Sequence, residues 1–160
     1  HRRSSAASDV YKRQAFAKCR IKGPKAEEFL DNLVANKLPK KVGRINLCHA
    51  LNTKGGVHSE FTIMRESENS FYLVSAGAFQ RLDHDWILKW MPKDGSVQFE
   101  NLTNSTGVLV VSGPKARELM TRVSKDDFSN ENFKWLSAKN VDVGYAPVNA
   151  MRVNLSLIHI

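Results

Sequence analysis

The chain has 160 residues, 42% of them hydrophobic and 25% charged, with nine glycines and five prolines. That is the length of about one domain and the composition of a folded one, which excludes a disordered, collagenous or fibrous chain. No run of about 18 apolar residues occurs, and no apolar stretch follows the basic N-terminus, so neither a transmembrane helix nor a secretory signal is expected. Twenty-four Lys and Arg against 16 Asp and Glu give +8, of which +3 sits in residues 1–14. Elsewhere basic residues alternate with acids, and the one dense group is Lys37, Lys40, Lys41 and Arg44. A nucleic-acid partner selects a clustered basic stripe, so none is expected. Two cysteines, Cys19 and Cys48, are too few and too far apart for a disulfide scaffold or a zinc site, which points to a reduced, intracellular domain.

Residues 1–14 (His1-Arg2-Arg3-Ser4 through Arg13-Gln14) and 156–160 (Ser156-Leu157-Ile158-His159-Ile160) resemble translated sequencing-adapter sequence. The expected organisation is therefore a non-native leader at 1–14, a partial domain at 15–155 and a non-native tail at 156–160.

Within the domain, Phe16 to Lys22 alternates apolar and polar residues and predicts a strand. Gly23-Pro24 then opens a helix, with Ala26, Phe29, Leu30, Leu33 and Val34 on one stripe. Val42 to Leu51 and Val57 to Arg65 predict two strands joined as a hairpin by Asn52-Thr53-Lys54-Gly55-Gly56. Ser70 to Ser75 predicts another strand. Phe79, Leu82, Trp86, Ile87, Trp90 and Met91 then form the stripe of a helix ended by Pro92, with Trp86 and Trp90 read as core packing. Strands are expected over Val97–Leu102 and Gly107–Ser112, a helix over Pro114–Val123, and strands over Asn140–Val143 and Pro147–Asn154.

Ile21-Lys22-Gly23-Pro24-Lys25-Ala26 and Val111-Ser112-Gly113-Pro114-Lys115-Ala116 echo each other, each ahead of an apolar-striped helix. Two such units among antiparallel hairpins predict an α+β fold of antiparallel sheets with split-βαβ, ferredoxin-like units. Glycine for the sharp turn and proline at the helix start explain the echo structurally.

The hairpin strand holds the one candidate for chemistry. Simple alternation sends Val57, Ser59, Phe61 and Ile63 one way and His58, Glu60, Thr62 and Met64 the other. Glu60 is then either part of a solvated sheet face or a carboxylate held over a pocket as acid, base or cation stabiliser. His49, His58 and His84 lack metal-ligand spacing, so no metal site is expected. Cys48 and His49 point to opposite faces of a strand and cannot form a nucleophile–base pair.

Several segments together carry a family resemblance. They are Gly23-Pro24-x-Ala26-x-x-Phe29-Leu30, Val34-Ala35-Asn36-Lys37-Leu38-Pro39, Val42-Gly43-Arg44-Ile45, Cys48-His49-Ala50-Leu51-Asn52 and Lys54-Gly55-Gly56-Val57-His58-Ser59-Glu60-Phe61-Thr62-Ile63. Phe71-Tyr72-Leu73-Val74, Gly107-Val108-Leu109, Ser112-Gly113-Pro114-x-Ala116-Arg117 and Asn149-Ala150-Met151-Arg152-Val153 continue in the same order. Over about residues 15–154 the chain resembles the folate-binding domain of dimethylglycine and sarcosine dehydrogenases. More distantly it is similar to the glycine cleavage system aminomethyltransferase, which shares the domain.

The resemblance implies a two-part flavoenzyme. An FAD domain, absent here, oxidises a small N-methyl amine, and the folate domain captures the one-carbon unit on tetrahydrofolate as 5,10-methylenetetrahydrofolate. It also implies an acidic residue near the folate N10 on the strand after the Gly-Gly turn. That position is Glu60, where many relatives have Asp, with His58, Thr62, Tyr72 and Ser75 as further folate-lining candidates. The expected compartment is the cytoplasm of a bacterium or the mitochondrial matrix of a eukaryote. No Gly-x-Gly-x-x-Gly fingerprint occurs. After Arg152-Val153-Asn154 the family runs into Gly-Glu-x-Gly-Trp-Glu, where this chain has Leu155-Ser156-Leu157. The expectation is an incomplete aminomethyltransferase-type domain, inactive alone. The alternatives are a stand-alone aminomethyltransferase and a non-catalytic folate-binding or regulatory module, as in a pyruvate dehydrogenase phosphatase regulatory subunit.

Overall fold

A computed structural model describes residues 16–153; the leader and tail assignments, and Asn154, lie outside these residues. In chain order the elements are β1 (Phe16–Lys22), α1 (Ala26–Leu33), β2 (Ile45–Leu51), β3 (Val57–Ser67), β4 (Ser70–Ala76), a 3-10 turn (Gly77–Phe79), α2 (Gln80–Trp90), β5 (Gln98–Asn101), α3 (Ala116–Val123), β6 (Ser137–Val143) and β7 (Ala146–Arg152). The first five strands form one sheet in the order β2-β3-β4-β1-β5, every neighbour antiparallel, and β6-β7 form a second, two-stranded sheet. Because β4 and β5 both run antiparallel to β1 between them, β4–α2–β5 is a split-βαβ unit. This is the expected α+β architecture of antiparallel sheets, although this split-βαβ unit is built around α2 rather than around either Gly-Pro helix on which the expectation rested.

Strand alternation gives the large sheet one face buried under helices and a second face covered over only part of its length. One carries Cys19, Ile21, Cys48, Phe61, Ile63, Phe71 and Leu73 against Phe29, Leu30 and Leu33 of α1 and Ile87 of α2. The expected stripe of α1 is thus buried along its whole length. The other face carries Ile45, Met64, Tyr72 and Leu102, covered by Leu136, Ala138 and Met151 from the β6–β7 region. The second sheet is anchored at Gly43, whose N–H donates to the Arg65 carbonyl (2.8 Å) and whose carbonyl accepts from Ala138 N (2.7 Å). Gly43 has φ +77°, and a Cβ there would lie 2.9 Å from the Ala138 oxygen, so the contact requires glycine.

The echo in sequence is an echo in backbone. Gly23 and Gly113 both have positive φ (132° and 117°). In each unit the alanine three residues later donates back to the glycine carbonyl, at 3.0 and 3.1 Å. Each helix runs eight residues and closes with the following N–H bonded four residues back.

Two expectations are corrected. Gly107–Ser112 is not a strand: no strand among the described residues pairs with it, and Leu109 and Val111 are exposed. Extended backbone without a partner gains no ladder hydrogen bonds, so alternation alone does not make it a strand. On α2 only Ile87 of the expected stripe is fully buried, whereas Phe79, Leu82 and Trp90 are about half exposed. This helix packs at the sheet through Ile87 and Asp83, so its aromatic side is available to other rings.

Candidate functional site

The β2–β3 hairpin builds the site. Asn52 Oδ1 accepts from the Lys54 and Gly56 N–H groups (2.9 and 3.0 Å), closing the turn as an Asx-type loop. Past the turn Leu51 pairs with Val57, but Ala50 pairs with Ser59, leaving His58 as the extra residue of a β-bulge. The bulge sends the His58 ring to the helix-covered face, where it stacks on Trp86 with centroids 4.0 Å apart and its Nδ1 meets Ser59 Oγ at 2.8 Å. His58 therefore does not share a face with Glu60, contrary to simple alternation.

The bulge also sets what faces Glu60. His49 lies directly opposite it, and His49 Nε2 is 3.1 Å from Glu60 Oε2. On the other side of the ring, Asn36 Oδ1 lies 3.2 Å from His49 Nδ1 and accepts the His49 backbone N–H at 2.8 Å. The Glu60 side chain is 61% exposed and that of His49 32%. Thr62 is half-buried on the same face, two pairs further along, between Leu47 on β2 and Val74 on β4.

Tyr72 shares this face but is buried among Ile45, Met64 and Leu102. Burial, with a smaller contribution from Glu66, pushes its hydroxyl up to about 12. Ser75 pairs with Ala17 and, following Phe71 and Leu73, points to the helix-covered face. Of the five expected residues, then, Glu60 and Thr62 are neighbours on an open surface and Tyr72 is packed on the same face. His58 and Ser75 lie on the opposite one, because a bulge and a three-residue spacing reverse them.

Two residues that the spacing did not single out join the site: His49 across the hairpin, and Asn36 from the segment after α1. Among the described residues no group of three His, Cys, Asp or Glu side chains converges as a metal site, and no helix is long and apolar enough to cross a membrane. The Cys19 thiol is pushed up to about 12 by burial and Asp83, and that of Cys48 to about 11 by burial, so neither is an activated nucleophile. Chemically, the surface offers a largely exposed carboxylate with one oxygen engaged by an imidazole and the other, Oε1, making no hydrogen bond among the described residues.

Comparison with known proteins assigns the fold. A sequence model of the GCVT N-terminal domain matches residues 1–156. The chain belongs to this family. Dimethylglycine dehydrogenase, mitochondrial, from Homo sapiens is 37% identical over 140 residues, which are 87% of this chain and 16% of that protein. The pyruvate dehydrogenase phosphatase regulatory subunit of Mus musculus is 32% identical over 137 residues, 86% of this chain and 15% of that protein. The chain thus spans about a sixth of the length of these relatives. Among solved structures, the glycine cleavage system aminomethyltransferase T from Bartonella henselae superposes with a TM-score of 0.66 at 18% identity, covering 82% of this chain and 37% of that one.

Proposed function

We propose that this GCVT-family chain is a tetrahydrofolate-facing part of an enzyme that oxidatively demethylates dimethylglycine or sarcosine, with Glu60 as the residue that meets the reacting amine nitrogen. The likeness to dimethylglycine dehydrogenase over most of the chain supports the substrate class. The observation that carries the site is Glu60, its Oε2 against His49 and its Oε1 without a hydrogen bond among the described residues, on an exposed face floored by Leu47 and Thr62.

These residues fit one portion of a reduced folate: a carboxylate opposite N–H groups, next to an apolar side chain. Tetrahydrofolate, when bound, supplies the amine nitrogens that take up the one-carbon unit. Glu60 stabilises positive charge developing on such a nitrogen and accepts its proton at Oε1. Thr62 and Leu47 set the distance of approach. For FAD the fit fails: the large sheet is antiparallel throughout, and no Gly-x-Gly-x-x-Gly turn is present. Flavin oxidation of the amine is assigned to the part of such an enzyme that this chain does not span. The compartment on this reading is the mitochondrial matrix in a eukaryote, as the human relative's name indicates for that protein, or the cytoplasm in a bacterium.

Calorimetric titration of the chain with tetrahydrofolate under anaerobic conditions tests the reading. Weak binding is expected, with Kd on the order of 0.1–1 mM, and Glu60→Ala is expected to weaken it at least about tenfold. No heat at millimolar folate, or an affinity indifferent to Glu60→Ala, overturns it. The likeness to a phosphatase regulatory subunit makes a non-catalytic module the reading that would then take its place.

A further inference from the structure

We infer that Asn36, His49 and Glu60 form a relay in which His49 is a positioning residue, holding one shared proton against Glu60 Oε2 and leaving Oε1 as the proton-accepting atom of the face. The functional meaning of the relay rests on the reading of Glu60 above; its geometry does not.

The backbone N–H of His49 can only donate, and it lies 2.8 Å from the Asn36 side-chain oxygen. That fixes which way the Asn36 amide is turned, because its NH2 group would set hydrogens against a hydrogen. The same oxygen lies 3.2 Å from His49 Nδ1. An amide oxygen is an acceptor, so Nδ1 must carry a hydrogen. In a neutral ring Nε2 then has a lone pair and no hydrogen.

Nε2 faces Glu60 Oε2 at 3.1 Å. An ionised carboxylate also has no hydrogen, and two lone pairs at that distance repel. One proton between them turns the contact into a hydrogen bond, written as imidazolium with carboxylate or as imidazole with carboxylic acid. The opposite tautomer would have needed no extra proton, so Asn36 makes the pair a one-proton site. Asn36 is itself held by the backbone: the neighbouring Ala35 N–H donates to the His49 carbonyl at 2.9 Å, tying the segment after α1 to β2.

The relay has a defined step. When a protonated amine gives its proton to Oε1, one N–H bond breaks on the amine and one O–H bond forms on Glu60. The shared proton settles on Nε2, leaving a carboxylic acid beside an imidazolium. No bond to carbon changes, and the return step is the reverse.

Nitrogen-15 NMR of the His49 ring in the 160-residue chain tests the relay without any ligand; His49→Gln identifies the signals. In alkaline solution, where the ring is neutral, the expected hydrogen is on Nδ1, and Asn36→Leu is expected to move it to Nε2. When the solution is acidified until Nε2 also carries a proton, that proton is expected to be held less tightly in Glu60→Gln than in the wild type. A wild-type neutral ring protonated on Nε2, or an Nε2 proton indifferent to Glu60→Gln, overturns the relay. The tetrahydrofolate titration is read separately. Expected NMR results together with a folate affinity indifferent to Glu60→Ala leave the relay standing and remove the folate reading, whereas failed NMR results with a Glu60-dependent affinity do the opposite.

Discussion

Gly23 lies against the backbone of Ser96: a Cβ built on Gly23 would stand 2.3 Å from the Ser96 carbonyl oxygen. This contact joins the start of α1 to the segment entering β5, and Lys25 N–H donates to the same oxygen at 3.4 Å. The position also has φ +132°, a conformation that side chains resist. Gly23→Ala meets both obstacles, and its cost is expected to be about 2–5 kcal/mol from backbone strain and overpacking together. Gly113 has the same turn but nothing within 4 Å of its would-be Cβ, so Gly113→Ala is expected to lose only the strain component. Paired urea unfolding curves check the difference; equal losses at the two glycines would show that Ser96 gives way.

Arg65 is a buried arginine, 6% exposed, near the end of β3, where it pairs with Phe71 close to the turn into β4. Its Nε donates to the Pro39 carbonyl at 2.8 Å and Nη1 to the Glu68 carbonyl at 3.2 Å, while Nη2 pairs with Glu27. The guanidinium also lies 4.8 Å from the Phe71 ring centre. A lysine keeps the charge but cannot fill the planar fork, so Arg65→Lys strands at least one buried carbonyl. The expected loss is about 2–3 kcal/mol, from unmade hydrogen bonds and the lost stacking. Because Glu27 is half exposed, Glu27→Gln is expected to cost under about 1 kcal/mol. Thermal unfolding of both variants measures this, and a Glu27→Gln loss as large as that of Arg65→Lys would make the ion pair, not the carbonyls, the main contribution.

How far such features are legible in sequence depends on the kind of rule that produces them. The strands β1 to β4 and the stripe of α1 follow from periodicity, because each side chain's face is set by its immediate neighbours. The Gly-Pro echo likewise announced two turns that match down to their hydrogen bonds. The partner of Glu60 was beyond that reach. In an unbulged hairpin closed by Leu51 and Val57, His49 would face Ser59. One extra residue at His58 slides the register and puts His49 opposite Glu60. The bulge that corrects the position of His58 is the same one that assembles the site. The 107–112 segment shows the converse, since it has strand alternation but no strand among the described residues beside it.

Lys18 is another buried cation on the Glu60 face of the sheet, 2% exposed, opposite Val74 on β4. Its ammonium donates to the Phe16 carbonyl at 2.9 Å, and no carboxylate lies within salt-bridge distance among the described residues. Burial lowers its pKa from the ordinary lysine value. The folded chain therefore releases this proton more readily than the unfolded chain. Its contribution to stability is present above about pH 10.4, the unfolded value, and is lost as pH falls through the lower folded value. Lys18→Met removes the buried charge while keeping the volume, and is expected to raise stability at pH 7 by about 1–2 kcal/mol. The variant's unfolding free energy should also rise less with pH on the alkaline side. A destabilised Met variant would mean that the bond to Phe16 outweighs the cost of burial.

His84 gives the corresponding effect on the acid side. Its Nε2 is buried with no hydrogen-bond partner among the described residues, and its ring meets Phe99 edge-on with centroids 5.0 Å apart. Burial lowers its pKa, against the opposing pull of Asp83 and Asp85. A histidine held neutral in the fold must gain a proton to match the unfolded chain in acid, so the unfolded state binds more protons there. Its stabilising contribution is complete above about pH 6.5 and is lost as pH falls through the depressed folded value. His84→Phe cannot take up that proton and keeps an aromatic ring against Phe99. Its stability is therefore expected to fall less than the wild type's between pH 7 and pH 5. Chemical unfolding at matched pH values gives the comparison, and parallel curves for the two proteins would show that His84 does not set the acid sensitivity.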